Sequence, residues 1–159
     1  MKEIINSYLQ HIQEVRQQDL KSVQDFLVEN KLKPSIKINS NSLYFFVQNE
    51  GQVIGTIGAE FNQQYALIRA TGVAQEYRGQ GIAQKLLQRL TTELEEKGII
   101  HLYLFSRQAA RFWTSVGFTQ CAIQEVIQVL PDAPQVIEFL ADNSIWTDVA
   151  WSKVIKIHF

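Results

Sequence analysis

A single cysteine, Cys121, stands in a chain of 159 residues, which excludes an internal disulfide and a metal centre built on several thiolates. Cys121 lies in an alternating apolar stretch and reads as a small core hydrophobe. Neither sign of charge dominates. Fifteen Lys and Arg meet sixteen Asp and Glu, for a net charge of −1. A nucleic-acid partner needs a basic face, so none is expected. No apolar run approaches the roughly 18 residues of a membrane span. The opening Met1-Lys-Glu-Ile-Ile-Asn6 has no signal-peptide core, so the cytoplasm is the expected compartment. His11, His101 and His158 show no ligand spacing, and no metal is expected. Repeats, linkers and low-complexity segments are missing as well, and the length suits one domain over residues 1–159.

What is present reads as alternating elements. Ile4, Ile5, Tyr8 and Leu9 fall at helical spacing within residues 1–11. His11–Arg16 reads as a first strand. Asp19 is placed to cap a helix through Glu29, with Leu20, Val23, Phe26 and Leu27 on one face. Lys31–Asn41 reads as loop. Leu43–Val47, Val53–Phe61 and Tyr65–Val73 form an antiparallel meander, with turns at Asn49–Gln52 and Asn62–Gln64. Gln80–Lys97 is a helix stopped at Gly98, Ile99–Phe105 a buried strand, and Arg107–Val116 a helix stopped at Gly117. Phe118–Val129 looks strand-like. After Pro131, Val136–Leu140 and Ser144–Lys156 look helical.

Arg78-Gly79-Gln80-Gly81-Ile82-Ala83 carries the most chemistry. It follows a strand and opens a helix. Backbone N–H groups of such a turn point inward and the helix adds its positive end, so the turn suits a pyrophosphate. Glycine allows an anion close to the backbone where a Cβ would intrude. The alternative is an ordinary strand-to-helix turn. GxxxxGK[ST] is absent, and so is the full dinucleotide fingerprint with its acidic partner. What remains is R-x-x-G-x-A, in Arg78, Gly81 and Ala83.

That pattern resembles the pyrophosphate loop of the GNAT superfamily of acetyl-coenzyme A-dependent N-acyltransferases. Ser106–Phe118 is similar to the family's N-x-x-A-x-x-(F/L)-Y-x-x-x-G-F, with Ala109, Phe112, Gly117 and Phe118 in place, Ser106 for Asn and Trp113 for Tyr. The resemblance runs from Ile12 to Phe118 and more loosely beyond. It implies a mixed α/β (α+β) fold: a central, mostly antiparallel sheet with a splayed parallel pair and helices on both faces. The parallel pair would be Tyr65–Val73 and Ile99–Phe105. It implies acetyl-CoA as co-substrate. Thr71, Gly72 and Val73, the turn Arg78, Gly79, Gln80, Gly81, Ile82 and Ala83, and Ser106, Ala109, Phe112 and Trp113 would hold it. A backbone N–H near Val73 would steady the oxyanion of acyl transfer.

Many family members place a Glu six residues ahead of the position matched by Val73; here it is Leu67. Many use the Tyr matched by Trp113 as an acid, a role indole cannot fill. A thiolate, with a reference pKa of about 8.5, still leaves acceptably without one. Glu60 is the best replacement base. With a turn centred on Gln63-Gln64 it faces Leu67, and Arg69 lies diagonally on the same face unless a bulge shifts the register. Glu60 is alternatively an anchor for the substrate ammonium or half of a structural ion pair with Arg69. Gly58-Ala-Glu60 followed by Leu67-Ile-Arg69-Ala is similar to G-L-E…L-L-R-S of a subgroup. That subgroup holds arsenic-resistance-associated and N-acetylglutamate synthase-like acetyltransferases. It implies small amine or amino-acid acceptors, with Arg69 on a carboxylate and Ser106 beside the acceptor.

Three functions stay open: acetylation of a small primary amine, acetylation of a peptide or protein, and CoA binding without catalysis. A homodimer is left open too. Tyr103 is a spare acid or a core residue, and Trp146 and Trp151 read as packing.

Overall fold

The computed structural model describes residues 11–155. The helical spacing within residues 1–11 therefore lies, His11 apart, outside the described residues. Among the described residues seven strands build one sheet: β1 (Gln13–Glu14), β2 (Ser42–Asn49), β3 (Gln52–Phe61), β4 (Tyr65–Val73), β5 (His101–Phe105), β6 (Thr119–Cys121) and β7 (Ala150–Val154). Their order is β1-β2-β3-β4-β5-β7-β6. β4 and β5 run parallel from Tyr65↔His101 to Ile68↔Leu104, while β7 pairs antiparallel with both β5 and β6. β4 continues past its last partnered residue to Val73. This is the expected mixed, mostly antiparallel sheet. The helices are α1 (Leu20–Glu29), α2 (Ile82–Glu96), α3 (Ala110–Ser115), α4 (Ile123–Val129) and α5 (Pro134–Ala141). Among the described residues no helix is long and apolar enough to cross a membrane.

Two compact units divide the chain, one of Met1–Ala59 with Ala70–Thr92 and the other of Glu60–Arg69 with Glu93–Phe159. In the first, Val23, Phe26 and Leu27 of α1 pack with Val15, Ile36, Tyr44 and Phe46. Asp19 stands at the N-cap, but its Oδ2 accepts from the Arg16 backbone N–H at 3.0 Å and so fixes the turn before the helix. Glu50 and Gly51 join β2 to β3 with φ of 52° and 77°, the left-handed pair that matches strand twist.

β4 carries a bulge. Asn62 N–H donates to Tyr65 C=O and Ala74 N–H to Ile54 C=O, so eight steps on β3 oppose nine on β4. Ala70, with φ of 54°, takes up the extra residue. The shift falls after Arg69, which keeps Arg69 diagonal to Glu60.

In the second unit Leu67, Tyr103, Val126, Leu130, Val136, Phe139, Ile145 and Ala150 form the core. Two expectations fail here. Phe118–Val129 is strand only over Thr119–Cys121, and the rest is α4. Ile123, Val126, Ile127 and Leu130 recur at helical spacing and bury one stripe, which outweighs their β-branched character. Of the expected helix Ser144–Lys156, the described part, residues 144–155, is not an α-helix either: a 3-10 turn, Ser144–Thr147, leads into β7. β7 is flanked by strands on both sides and buries Ala150 and Trp151 in succession, so the alternation that marks an edge strand is blurred.

Candidate active site

In the first unit β4 ends at Val73 and the chain turns through Gln75–Tyr77 and Arg78–Gly81 into α2. Arg78 Nε donates to the Val73 carbonyl at 2.9 Å, and Asn49 Nδ2 to the Tyr77 hydroxyl at 2.7 Å. These bonds tie the turn to the strand ends. Gly79 and Gly81 have φ of 79° and 84°, and an added Cβ at either would meet no heavy atom within 4 Å. The glycines are needed for backbone conformation, and the space before them is open to a ligand. Lys85 N–H donates to Gly81 C=O, so the N–H groups ahead of Lys85 have no acceptor within the helix. Ile82 is buried and anchors the helix start, with Gln80 and Ala83 half-buried beside it. Gly72 packs closely: a Cβ there would sit 2.6 Å from Leu32 Cδ1, so the end of the Leu32 side chain would have to move. The Thr71 hydroxyl oxygen is buried without a protein partner. A pyrophosphate-bearing ligand fits this chemistry of free N–H groups, open glycine faces and an unpartnered hydroxyl.

The second motif stretch lies in the other unit. Ser106 Oγ accepts from Ala109 N–H at 3.3 Å, which settles the entry to α3. The Ser106 N–H donates to Val149 C=O, and its own carbonyl accepts from Trp151 Nε1 at 2.9 Å. Trp113 is 4% exposed and meets Phe112 and Phe118 edge-on, with ring centroids 4.9 and 5.2 Å away. α3 ends at Ser115 and Gly117 (φ 95°) turns the chain away just after it, while Lys153 Nζ donates to Val116 C=O at 2.9 Å.

Glu60 and Arg69 come together in the same unit. They are 3% and 4% exposed, and Arg69 Nη1 donates to Glu60 Oε2 at 2.9 Å. The other oxygen, Oε1, accepts from the backbone N–H of Gln135 at 2.9 Å, at the start of α5. Asn62 Nδ2 donates to the carbonyl of Val129, the last residue of α4, at 2.8 Å. The end of β3 therefore clasps the close of one helix and the start of the next. Negative charge at a helix N-terminus is favoured. Arg69 Nε and Gln135 Oε1 are buried with no protein partner. The sequence reading missed Gln135: it lies 75 residues from Glu60, in a segment without a motif.

Leu67, at the place of the family's usual Glu, is fully buried in the apolar core. Tyr103 is in the core too. Its ring stacks on His101 at 4.4 Å, and its hydroxyl lies 3.3 Å from His101 Nδ1. Burial and a hydrogen bond to Glu125 push its pKa up, so it holds its proton tightly. Burial also pushes the Cys121 thiol up, away from nucleophilic thiolate. Among the described residues no group of three or more His, Cys, Asp or Glu is arranged to hold a metal.

A strand, glycine turn and helix set in a mixed sheet make an α/β protein with an anion-binding turn, and comparison with known proteins gives its family. The model of the acetyltransferase (GNAT) family matches residues 5–118, and the chain belongs to that family. It is similar to a GNAT-family acetyltransferase structure from Staphylococcus aureus Mu50, with TM-score 0.71 and 18% identity, covering 92% of this chain and 99% of that one. A Mycobacterium tuberculosis protein in complex with CoA gives 0.69 and 15%, covering 91% and 99%. N-acetylglutamate synthase from Neisseria gonorrhoeae, complexed with coenzyme A and L-arginine, gives 0.70 and 13%, covering 92% of this chain and 33% of that one. At such identities the likeness is one of fold.

Proposed function

We propose that this protein transfers an acetyl group from acetyl-CoA to the primary amine of a small molecule. The observation that carries this is the Gly79–Gly81 turn at the head of α2, in a chain of the GNAT family. The N–H groups of the turn and helix start would receive the pyrophosphate, with Arg78, Gln80, Ile82 and Ala83 framing it. Thr71, Gly72 and Val73 would line the pantetheine arm, the Thr71 hydroxyl gaining a partner. Ser106, Ala109, Phe112 and Trp113 are assigned to the cofactor by motif, with Trp113 a packing residue.

Acetyl-CoA, when bound, supplies the acetyl group as a thioester. As the new N–C bond forms the C–S bond breaks, and the ammonium loses two protons, one to the departing thiolate and one to solvent. Leu67 and Trp113 offer neither base nor acid. Both Glu60 oxygens are engaged, one by Arg69 and one by the Gln135 N–H, so in this reading Glu60 holds Arg69 in place rather than removing a proton. One domain of residues 1–159, a cytoplasmic setting and a homodimer belong to the same proposal.

Calorimetry with acetyl-CoA, followed by thiol-release assays against amino acids, polyamines, aminoglycosides and peptides, tests it. Binding plus turnover of a small amine is expected. Absence of acetyl-CoA binding overturns the reading. Binding without turnover makes the protein a CoA-binding module, and turnover of peptides alone makes it a peptide acetyltransferase.

A further inference from the structure

One peptide unit at the end of β4 is held from both sides. The Ala74 N–H donates to the Ile54 carbonyl at 2.8 Å, and Arg78 Nε donates to the Val73 carbonyl at 2.9 Å. That N–H and that carbonyl belong to the same peptide, Val73–Ala74. In an antiparallel pair successive residues turn their backbone groups to opposite edges. Ala74 faces β3, so Val73 faces the other edge of β4, along which the pairing with β5 ends at Ile68↔Leu104. A carbonyl on an open strand edge is ordinarily left to water or to a ligand. Here it is taken by a side chain five residues further along the same chain.

Resting on the acetyltransferase reading above, we infer that Arg78 is a positioning residue for the transfer step as well as part of the frame around the pyrophosphate. The Val73 N–H, which would steady the oxyanion, belongs to the peptide Gly72–Val73. Gly72 has no Cβ to limit its backbone, so that peptide has the most freedom to rotate. Pinning the next peptide on both sides restricts rotation at Val73 and fixes where its N–H points. An oxyanion donor is effective when it is aimed before the charge develops. A guanidinium has five N–H donors, so the bond to Val73 leaves Arg78 others for a phosphate oxygen. One side chain thus reaches from the pyrophosphate turn to the strand assigned to the thioester arm. The turn keeps its shape by other bonds: Tyr77 N–H donates to Ala74 C=O, Arg78 N–H to Gln75 C=O, and Asn49 Nδ2 to the Tyr77 hydroxyl.

S-acetylpantetheine, which carries the thioester arm without the pyrophosphate, separates the two roles of Arg78. Thiol release is followed with this donor and with acetyl-CoA, using the amine that the acceptor screen returns. Arg78→Ala should lower kcat/KM for S-acetylpantetheine by at least about tenfold, with the melting temperature unchanged, and should lower kcat for acetyl-CoA as well as raise its KM. Arg78→Gln places an uncharged N–H donor as many bonds from Cα as Arg Nε. It should recover most of the S-acetylpantetheine turnover while acetyl-CoA still binds more weakly. A side chain that only attracts the pyrophosphate would leave S-acetylpantetheine turnover unaltered in Arg78→Ala, and that result would overturn the inference. Amide hydrogen exchange gives a second measure that needs neither donor nor acceptor. The Ala74 N–H should exchange about tenfold faster in Arg78→Ala, whose Val73–Ala74 peptide is held from one side only. Exchange at the wild-type rate would also overturn the inference. The broader reading fails separately, if wild type binds no acetyl-CoA; a wild type that turns over acetyl-CoA, matched by Arg78→Ala on S-acetylpantetheine, removes only the positioning role.

Discussion

The glycine turn after β4 and the Glu60–Arg69–Gln135 cluster are two ways of making a polar site. The turn is made of backbone. Its working groups are N–H donors displayed by two left-handed glycines and a helix start, and nothing in it is deeply buried except the Ile82 anchor. The cluster is made of side chains. Two opposite charges at 2.9 Å are almost sealed from water and hold up a helix as well. A backbone site is cheap to keep folded and easy to spoil for its ligand. A side-chain site is tied into the fold, so damage to it appears first as lost stability.

The largest expected effect comes from breaking the side-chain site. Glu60→Ala leaves Arg69 buried and unpaired, and should cost about 3–5 kcal/mol in urea denaturation. Replacing both residues by apolar side chains of similar volume should restore most of that, since the desolvation cost then vanishes. If Glu60→Ala unfolds at the wild-type midpoint, the contrast between the two sites is wrong.

Gly81→Val attacks the backbone site. A β-branched residue at φ of 84° is strained, at about 1–3 kcal/mol. The side chain also projects into the open ligand face. Acetyl-CoA affinity should fall by about tenfold or more, equivalent to about 1.4 kcal/mol. A folded variant with wild-type affinity would move the pyrophosphate elsewhere.

Trp113 sharpens the comparison, because motif and packing describe it differently. Trp113→Phe should lose about 1 kcal/mol of stability as the edge contacts thin out. The kcat should survive, since indole is no acid; its collapse in a folded variant with intact CoA affinity would give Trp113 a chemical role.

The smallest effect is one of pH. Burial lowers the pKa of His101 from 6.5, although Glu125 opposes this. The unfolded chain therefore takes up a proton near pH 6.5 that the folded protein resists, and stability should decline as pH falls below that value. His101→Leu should flatten this slope, checked by urea midpoints on either side of pH 6.5. At the other extreme Tyr103 keeps its proton above the usual 10.0, so stability should decline as pH rises past it.

The same contrast explains what could be read from the chain. The turn was legible because its chemistry is local: Arg78, Gly79 and Gly81 announce themselves within four positions. Glu60 and Arg69 were legible as a pair because a short hairpin joins them, and the hairpin's register sets them diagonally. Gln135 was not, since only tertiary folding brings α5 to the end of β3. The same limit governed the later elements. Ile123–Val129 is short and rich in β-branched residues, so its type is decided by the stripe it buries against Leu67 and Tyr103. Ala150 and Trp151 belong to a strand whose partners lie on both sides, and neither partner is visible from the residues of β7 alone.

The placing of β7 also has a consequence for synthesis. β5 emerges from the ribosome with no antiparallel partner, and β6 follows without touching it. Both must wait for Ala150–Val154, which pairs His101 with Val154 and Cys121 with Ala150. Until then Leu102 and Leu104 stand on an open strand edge, the sort of surface that recruits other chains. The non-local closure also makes this half of the sheet the slow part to form. A nascent chain halted near Leu140 would therefore present β5 as a sticky edge, and its fate would be set by how soon β7 arrives.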